Sequence, residues 1–258
     1  MPFTLAHPAA ILPLRHVWRL RTAALIVGAL IPDLPYYLPG SLSRFIPETH
    51  NFLGSVAVCL PLGYAALAAI YVLRAPLTAL LSARARWLCL TALAPLRAHP
   101  LEWAIAPLSV LIGVWTHLTW DAFTHSDSWV VHRVSALSAP VTIGSYSGPL
   151  CHVLQYVSSA FGLIVMIIWY FTLRVPTPQP APPGAARSSV GPVLLLVGAA
   201  ALLIGGVQAM EYYARWESVY RTLNILLTRS LAWFGLLYFL AGSLATLQQH
   251  HEAEAQLR

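Results

Sequence analysis

The chain has 258 residues, of which 58% are hydrophobic and only 9% are charged. Soluble domains carry about 25% charged residues, so this composition excludes an ordinary soluble globular protein and indicates several membrane-spanning helices. The formal net charge of +6 comes from arginine, because the sequence has no lysine. These arginines lie at the ends of apolar segments, which favours a role in setting topology over nucleic-acid binding. Three cysteines without a CxxC motif give no disulfide framework.

The N-terminal region contains two short apolar pieces, residues 9–14 and 22–31. Each is too short to cross a bilayer, for which about 20 residues are needed. Either residues 15–38 form one imperfect span, or the two pieces form a re-entrant hairpin that protein covers. No small-x-small cleavage site follows the second piece, so we expect it to be retained. The prolines around Asp33 should end the preceding helix and hold the carboxylate in a rigid turn.

The rest of the chain contains five segments that are long and apolar enough to span a membrane. They are residues 52–73, 103–123, 150–173, 191–210 and 223–247. The fourth is rich in Gly and Ala, which predicts close packing against a neighbouring helix. We therefore predict an all-α fold, a polytopic membrane helix bundle with five or six transmembrane helices.

A Pro- and Ala-rich stretch, residues 174–190, is typical of an extended linker that buries no core. It predicts three parts: a membrane helical domain at 1–173 with every candidate ligand, the linker, and a C-terminal helical pair with a polar tail at 191–258. The final residues include His250 and His251, which are expected to be solvated.

The arginines also predict an orientation. The loop at 74–97 carries four of them and no acidic residue, so the positive-inside rule places it in the cytoplasm. Counting spans outward from this loop puts Asp33, His50, Asp121 and His125 on the external side. Four candidate ligands therefore converge on one membrane face. Glu102 and His99 fall on the opposite face, where a surface role is expected.

The span at 103–123 ends in a run of ionisable residues. His117, Asp121 and His125 are spaced i, i+4 and i+8, so they share one face of a helix. Ionisable side chains are costly inside a bilayer, and their presence there indicates a functional site. His117 and Asp121 can share a divalent metal as two ligands one helical turn apart do. His125 can bind a second metal, support the first, or transfer a proton.

Three more residues are candidates for the same site. Asp33 follows the first apolar region, His50 opens the next span, and His7 reaches the site only if the N-terminal pieces form a hairpin. Glu48 and His125 are the candidate general bases. In the competing explanation these residues are interfacial caps of helix ends, and Trp115, Trp120 and Trp129 form an aromatic belt.

The ordered motifs of the chain resemble those of a bacterial membrane family described as domain of unknown function 4184. The resemblance covers nearly the whole chain. It rests on Pro2 to Ala10, Ile31 to Tyr36, His50, Trp115 to His117, Asp121 to His125, Leu154-Gln155 and Ser158-Ser159. The opening His, the Pro-Asp and the His-x-x-x-Asp pair are also similar to YdjM-type membrane-bound metal-dependent hydrolases, whose ligand types are those of zinc-dependent phospholipase C.

The resemblance implies a metal-binding role for five residues: His7, Asp33, His50, His117 and Asp121. It implies no substrate. This chain departs from the first family by having Tyr156 where a His is frequent, and from the second by having Leu34-Pro35 where a second acid is usual.

These observations favour a divalent-metal-dependent hydrolase at the outer face of a bacterial cytoplasmic membrane. The expected metal is Zn, with Mn or Mg as alternatives. Membrane lipids are expected to surround the protein, and no nucleic-acid partner is expected. The expected substrate is a lipid-like ester or phosphodiester, because the site should lie at the level of the lipid headgroups. The alternative is a non-enzymatic membrane protein, either a metal or proton carrier or a scaffold with a structural metal. The oligomeric state is left open.

Overall fold

The computed structural model describes residues 4–17, 20–144, 146–176, 190–217 and 219–256. Within these residues the chain is helical almost throughout, which confirms the all-α prediction. The exception is a short antiparallel hairpin of β1 (Pro140–Ile143) and β2 (Tyr146–Pro149). Most of the predicted linker lies outside the described residues, so the division into domains at 174–190 stays a prediction.

Seven helices are labelled α1 to α7. They are α1 (Thr22–Leu30), α2 (Phe52–Val72), α3 (Ala83–Ala98), α4 (Leu101–Thr124), α5 (Leu150–Thr172), α6 (Val190–Trp216) and α7 (Val219–Gln256). A 3-10 helix, Thr4–His16, precedes them, and α2 includes a π-helical turn at Ser55–Cys59. Shorter helices are Leu34–Tyr37, Gly40–Ser43, Arg74–Ala79, Trp129–Arg133 and Ser135–Ser138.

Five of the described helices are long and apolar enough to cross a membrane: α2, α4, α5, α6 and the Arg221–Ala255 part of α7. They coincide with the five predicted spans, within two or three residues at most ends. Many large apolar side chains on these helices are exposed to the surroundings of the protein. Since helices of this length and composition are stable in hydrocarbon, the chain is an integral membrane protein.

The N-terminal pieces form a hairpin, and the alternative of one continuous span is wrong. The 3-10 helix and α1 are separate elements, and Ile11 packs in one buried cluster with Leu25 and Ala29. Pro32 does not end the helical path as predicted. The chain continues through a 3-10 turn, Ile31–Asp33, into Leu34–Tyr37, because Pro32 occupies the start of that turn, where it needs no N–H partner.

The backbones of α1 and α4 approach each other closely. A side chain at Gly28 would collide with the carbonyl group of Val110, and one at Gly113 would collide with the backbone of Leu25 and Ala29. Small residues permit such contact between helices in a membrane. This packing matters for the site, since α4 carries its centre and α1 ends beside it.

Glu102 lies outside the candidate site, and its side chain is 18% exposed. Its carboxylate forms a two-point ion pair with the Arg21 guanidinium, and the backbone N–H of Arg21 donates to the Ser109 hydroxyl at 3.0 Å. Arg21 is the residue before α1, while the other two residues are in the first half of α4. These bonds therefore fix the start of α1 against α4, at the end away from Asp121.

The chain divides into two compact units. The first comprises residues 1–35, 40–68 and 92–174 and contains every residue of the candidate site described below. The second comprises residues 36–39, 69–91 and 175–258. In the second unit α6 packs on α7, where Gly205 lies directly against Ser230, as expected of a Gly- and Ala-rich span. The Tyr238 hydroxyl donates to the Leu77 carbonyl at 3.0 Å, which joins α7 to the 69–91 segment.

Candidate metal centre

Four side chains from three parts of the fold converge on one point. Asp33 ends the 3-10 turn after α1, His50 lies just before α2, and His117 and Asp121 are one turn apart on α4. Each offers one ligand atom, and these atoms all lie within 4.8 Å of one another. Asp33, His117 and Asp121 are buried, whereas the His50 side chain is 25% exposed. The predicted convergence of these four residues is confirmed, and their role as metal ligands stays a prediction.

The four distances between a histidine and a carboxylate inside the cluster are close to those between ligands of one tetrahedral ion. Ligands about 2.1 Å from a tetrahedral metal lie about 3.4 Å from one another. His50 Nε2 is 3.4 Å from Asp33 Oδ1 and 3.6 Å from Asp121 Oδ2. His117 Nε2 is 3.7 Å from Asp33 Oδ1 and 3.2 Å from Asp121 Oδ2. Direct hydrogen bonds between charged N–H and carboxylate groups are about 2.7–2.9 Å long, so this spacing fits shared ligation better than ion pairing.

Both histidines are oriented by hydrogen bonds on the ring edge that faces away from the cluster. His117 Nδ1 lies 2.8 Å from the Ala29 carbonyl, which can only accept. The Thr49 hydroxyl donates to the Pro32 carbonyl and therefore accepts from His50 Nδ1 at 2.9 Å. With a proton on Nδ1, the nitrogen of each ring that faces the carboxylates is Nε2. A hydrogen bond from the second ring nitrogen to a protein oxygen is typical of metal-binding histidines.

Several buried polar atoms at this point have no hydrogen bond within the described part of the chain. They are His117 Nε2, Asp121 Oδ1 and both ring nitrogens of His7. Unsatisfied buried polar atoms are costly and are rare in folded proteins. A divalent cation would satisfy Nε2 and the carboxylate oxygens together. The residues present therefore fit a metal ion, and the cluster can hold one.

His7 lies directly beside this cluster. Its ring stacks on that of His117 with centroids 3.7 Å apart, and its Nε2 is 3.5 Å from Asp121 Oδ1. Burial, together with the neighbouring His117, lowers the pKa of His7 to about 4. The imidazole is consequently neutral at pH 7, as a metal ligand must be. The two oxygens of Asp121 thus face different histidines: Oδ2 faces His50 and His117, and Oδ1 faces His7 and His125.

Asp33 is held as a carboxylate despite its burial. Burial raises the pKa of Asp33, but the interaction with His50, the proximity of His117 and the hydrogen bond from Thr4 outweigh it and lower the pKa to about 2. The Thr4 hydroxyl donates to Asp33 Oδ2 at 2.5 Å. Thr4 was not among the residues predicted to form the site. Its position three residues before His7 was the only indication in the sequence that Thr4 could belong to the site. The N-terminal hairpin is what brings the Thr4 hydroxyl to Asp33.

His125 lies at the open edge of the cluster. Its Nδ1 is 3.5 Å from Asp121 Oδ1 and 3.2 Å from the Asp121 carbonyl, and its side chain is 30% exposed. On its other edge, His125 Nε2 is 3.2 Å from the side-chain amide of Gln155 on α5. Gln155 is buried. In the sequence it belongs to a motif shared with the DUF4184 family, but no role in the site was predicted for it. A buried amide in an apolar span was the signal that marks it as a functional candidate.

Glu48 is near the cluster but on its surface. One carboxylate oxygen accepts from the His50 backbone N–H at 2.8 Å and is 3.9 Å from His50 Nδ1. Its side chain is 67% exposed. Glu48 therefore lies on the surface beside the ring edge of His50 that faces away from the cluster. His50 and His125 themselves are partly exposed.

The fold and the cluster together define an integral membrane helix bundle with a buried His and Asp cluster that can hold a metal ion. Residues 1–246 match the family model described as domain of unknown function (DUF4184), and the chain belongs to this family. No curated protein and no solved structure matches the chain.

Proposed function

We propose that this protein is a divalent-metal-dependent hydrolase of the bacterial cytoplasmic membrane. The observation that supports the proposal most strongly is the set of four ligand atoms from Asp33, His50, His117 and Asp121, all within 4.8 Å of one another in an integral membrane protein. A structural metal site is closed by protein ligands, whereas a catalytic one keeps a position open. Four protein ligands would fill a tetrahedral zinc site, so catalysis here would use a fifth position, which catalytic zinc can adopt. The partial exposure of His50 and His125 would let water reach it.

Zinc is the metal that we propose, because imidazole and carboxylate in a four-ligand set suit it best, and Mn or Mg would need more oxygen ligands. His7 is the fifth proposed ligand, because its Nε2 atom lies 3.5 Å from Asp121 Oδ1. A bound divalent metal supplies Lewis-acid chemistry, which polarises the scissile group and makes water more acidic.

The protein groups at the open edge have separate proposed tasks. Hydrolysis joins the oxygen of water to the phosphorus or carbonyl carbon, breaks the bond to the leaving alcohol, and delivers one proton to that alcohol. Glu48 or His125 accepts the proton of the attacking water. His125 lies at the exposed edge of the cluster between Asp121 and Gln155, whereas Glu48 lies at the surface behind the ring of His50.

A lipid-like ester or phosphodiester is the proposed substrate. Asp121 is three residues before the end of α4 at Thr124, which is about 5 Å along the helix axis. Because α4 is 24 residues long, or about 36 Å, it slightly exceeds a hydrocarbon core of about 30 Å. The cluster therefore falls near the boundary between acyl chains and headgroups, where a lipid ester lies.

The experiment that tests this function is metal analysis of the detergent-purified protein, followed by a hydrolysis assay. The reconstituted protein is supplied with Zn, Mn or Mg and with phospholipid or diacylglyceride vesicles, and the released products are identified by mass spectrometry. We expect product only with metal, and we expect Glu48→Gln or His125→Gln to lower the turnover about 100-fold while retaining metal, as loss of a general base does. A metal-bound protein that releases no product from any ester or phosphodiester would favour the carrier or scaffold alternative.

The proposed external location of the site predicts a specific topology. Reporter fusions after Arg86 and after Gly184 should both score cytoplasmic, and a fusion after Ser145 should score external, because the arginine-rich loop stays on the inner side. An external signal at Arg86 would invert the orientation and move the site to the cytoplasmic face.

His7→Ala should weaken metal binding by about 10–100-fold, the range for residues that support a metal site, and by more if His7 is a direct ligand. The matched control is His16→Ala, since His16 is exposed at the far end of the same 3-10 helix. Isothermal titration calorimetry measures the affinity of both variants for Zn. Equal, unchanged affinities would remove His7 from the ligand set.

A further inference from the structure

Thr4 places a hydroxyl against one of the two carboxylates of the metal centre. Its Oγ1 donates to Asp33 Oδ2 at 2.5 Å, and both residues are buried. Thr4 begins the 3-10 helix that also contains His7, three residues further on. Because a 3-10 helix has three residues per turn, Thr4 and His7 lie on one face of it. The N-terminal hairpin therefore brings two side chains to the metal centre, a hydroxyl and an imidazole.

The two oxygens of Asp33 have different partners. Oδ1 faces the cluster, since it lies 3.4 Å from His50 Nε2 and 3.7 Å from His117 Nε2. Oδ2 accepts the hydrogen bond from the Thr4 hydroxyl. Such a bond occupies a lone pair of Oδ2 and opposes rotation of the carboxylate about its own axis. Asp33 is therefore arranged to offer one oxygen to a metal ion and not two.

The two histidines of the cluster are arranged in the same way. Each has Nε2 towards the carboxylates and Nδ1 beside a protein oxygen, the Ala29 carbonyl for His117 and the Thr49 hydroxyl for His50. Three of the four proposed ligands thus present a single atom to the cluster. Single-atom ligands keep the coordination number low. Zn takes four ligands, or five in some catalytic states, whereas Mn and Mg favour octahedral sites rich in oxygen.

We propose that Thr4 is a positioning residue that makes the site select zinc, by holding Asp33 to coordination through Oδ1 alone. The inference rests on the proposed metal-dependent function and deepens it, because it assigns a residue that determines which metal the site takes. Without the hydroxyl, Oδ2 would be a buried carboxylate oxygen that has lost its donor, which is costly. Rotation towards the ion would satisfy Oδ2, and Asp33 would then bind through both oxygens. The additional oxygen ligand lowers the preference for Zn over Mn.

Metal binding by the detergent-purified full chain tests this role with two variants of Thr4. Thr4→Val keeps the shape of the side chain without the hydroxyl, whereas Thr4→Ser keeps the hydroxyl. Competition titrations with Zn and with Mn give the ratio of the two affinities. We expect Thr4→Val to lower the Zn affinity about 10–100-fold, as loss of an outer partner does, and to leave the Mn affinity unchanged, because Mn accepts the second oxygen of Asp33. Thr4→Ser should keep the wild-type ratio.

The visible spectrum of the protein loaded with Co(II) reports the coordination directly. Its absorption weakens from tetrahedral to octahedral coordination, because only the octahedron has a centre of symmetry. We expect Thr4→Val to lose much of the intensity that the wild type and Thr4→Ser show. Thr78→Val is the matched control, since Thr78 is also buried and donates to the Arg74 carbonyl at 2.7 Å, but belongs to the second unit. It should change neither the spectrum nor the affinity ratio.

An unchanged ratio of Zn to Mn affinity in Thr4→Val would overturn the inference. If both affinities fell together, the hydroxyl would only stabilise the N-terminal hairpin. A Thr4→Ser protein that lost its preference for Zn would contradict the role of the hydroxyl as well. Weak octahedral bands in the wild-type protein with Co(II) would overturn the inference even if Thr4→Val did not fold. A wild-type protein that binds none of these metals would overturn the proposed function itself.

Discussion

Replacing Asp121 with asparagine should abolish tight divalent-metal binding. The substitution keeps the shape of the side chain but removes the charge, which lies against two histidines on each of its two oxygens. Loss of an outer supporting group costs a metal site about 10–100-fold in affinity, so loss of a carboxylate that lies against four histidines should cost more than about 100-fold. Metal analysis after dialysis against a weak chelator, together with titration by Zn, measures the change.

Asp127→Asn is the matched control for this experiment. Asp127 is exposed just after α4, so its loss should leave both metal content and stability unchanged. Circular dichroism and thermal melting of both variants show whether they remain folded. If Asp121→Asn keeps its metal, or if the wild-type protein carries none, the cluster is a network of His and Asp ion pairs, which is the main physical alternative for buried groups 3.2–3.7 Å apart.

The parts of the site that follow a local rule could be predicted from the sequence. His117 and Asp121 share a helix face because four residues make about one turn, and their helix was identifiable as a long apolar run. The convergence of Asp33 and His50 with them followed from counting membrane crossings. None of these steps needed knowledge of how helices pack.

The parts that depend on packing could not be predicted in the same way. Thr4, Thr49 and Gln155 take part in the site through hydrogen bonds that only the packed fold brings within reach. The Arg21–Glu102 ion pair joins residues 81 positions apart, so no local pattern in the sequence indicated it. The helical path through Pro32 was missed for a different reason, because proline ends a helix in its interior but is well tolerated in its first turn.

Because α1 and α4 approach each other closely, a substitution at their contact should strongly lower the stability of the protein. A methyl group added at Gly28 would meet the carbonyl oxygen of Val110 and lie 3.0 Å from its Cα atom, and backbone atoms cannot move aside as a side chain can. Gly28→Ala should therefore push α1 away from α4 and lower stability by about 1–3 kcal/mol, the usual cost of overpacking. Thermal melting in detergent measures this change.

The same substitution should also weaken metal binding, although Gly28 contacts no ligand atom of the cluster. The next residue, Ala29, accepts the hydrogen bond from His117 Nδ1, and α1 leads directly into Asp33. Displacing α1 thus removes the group that orients one proposed ligand and moves another, and we expect an affinity loss of about 10–100-fold. Gly198→Ala is the control, because a methyl group there meets nothing within 4 Å and alanine favours the helix by up to about 1 kcal/mol. A Gly28→Ala protein that melts early but binds Zn as tightly as the wild type would show that the cluster does not depend on the position of α1.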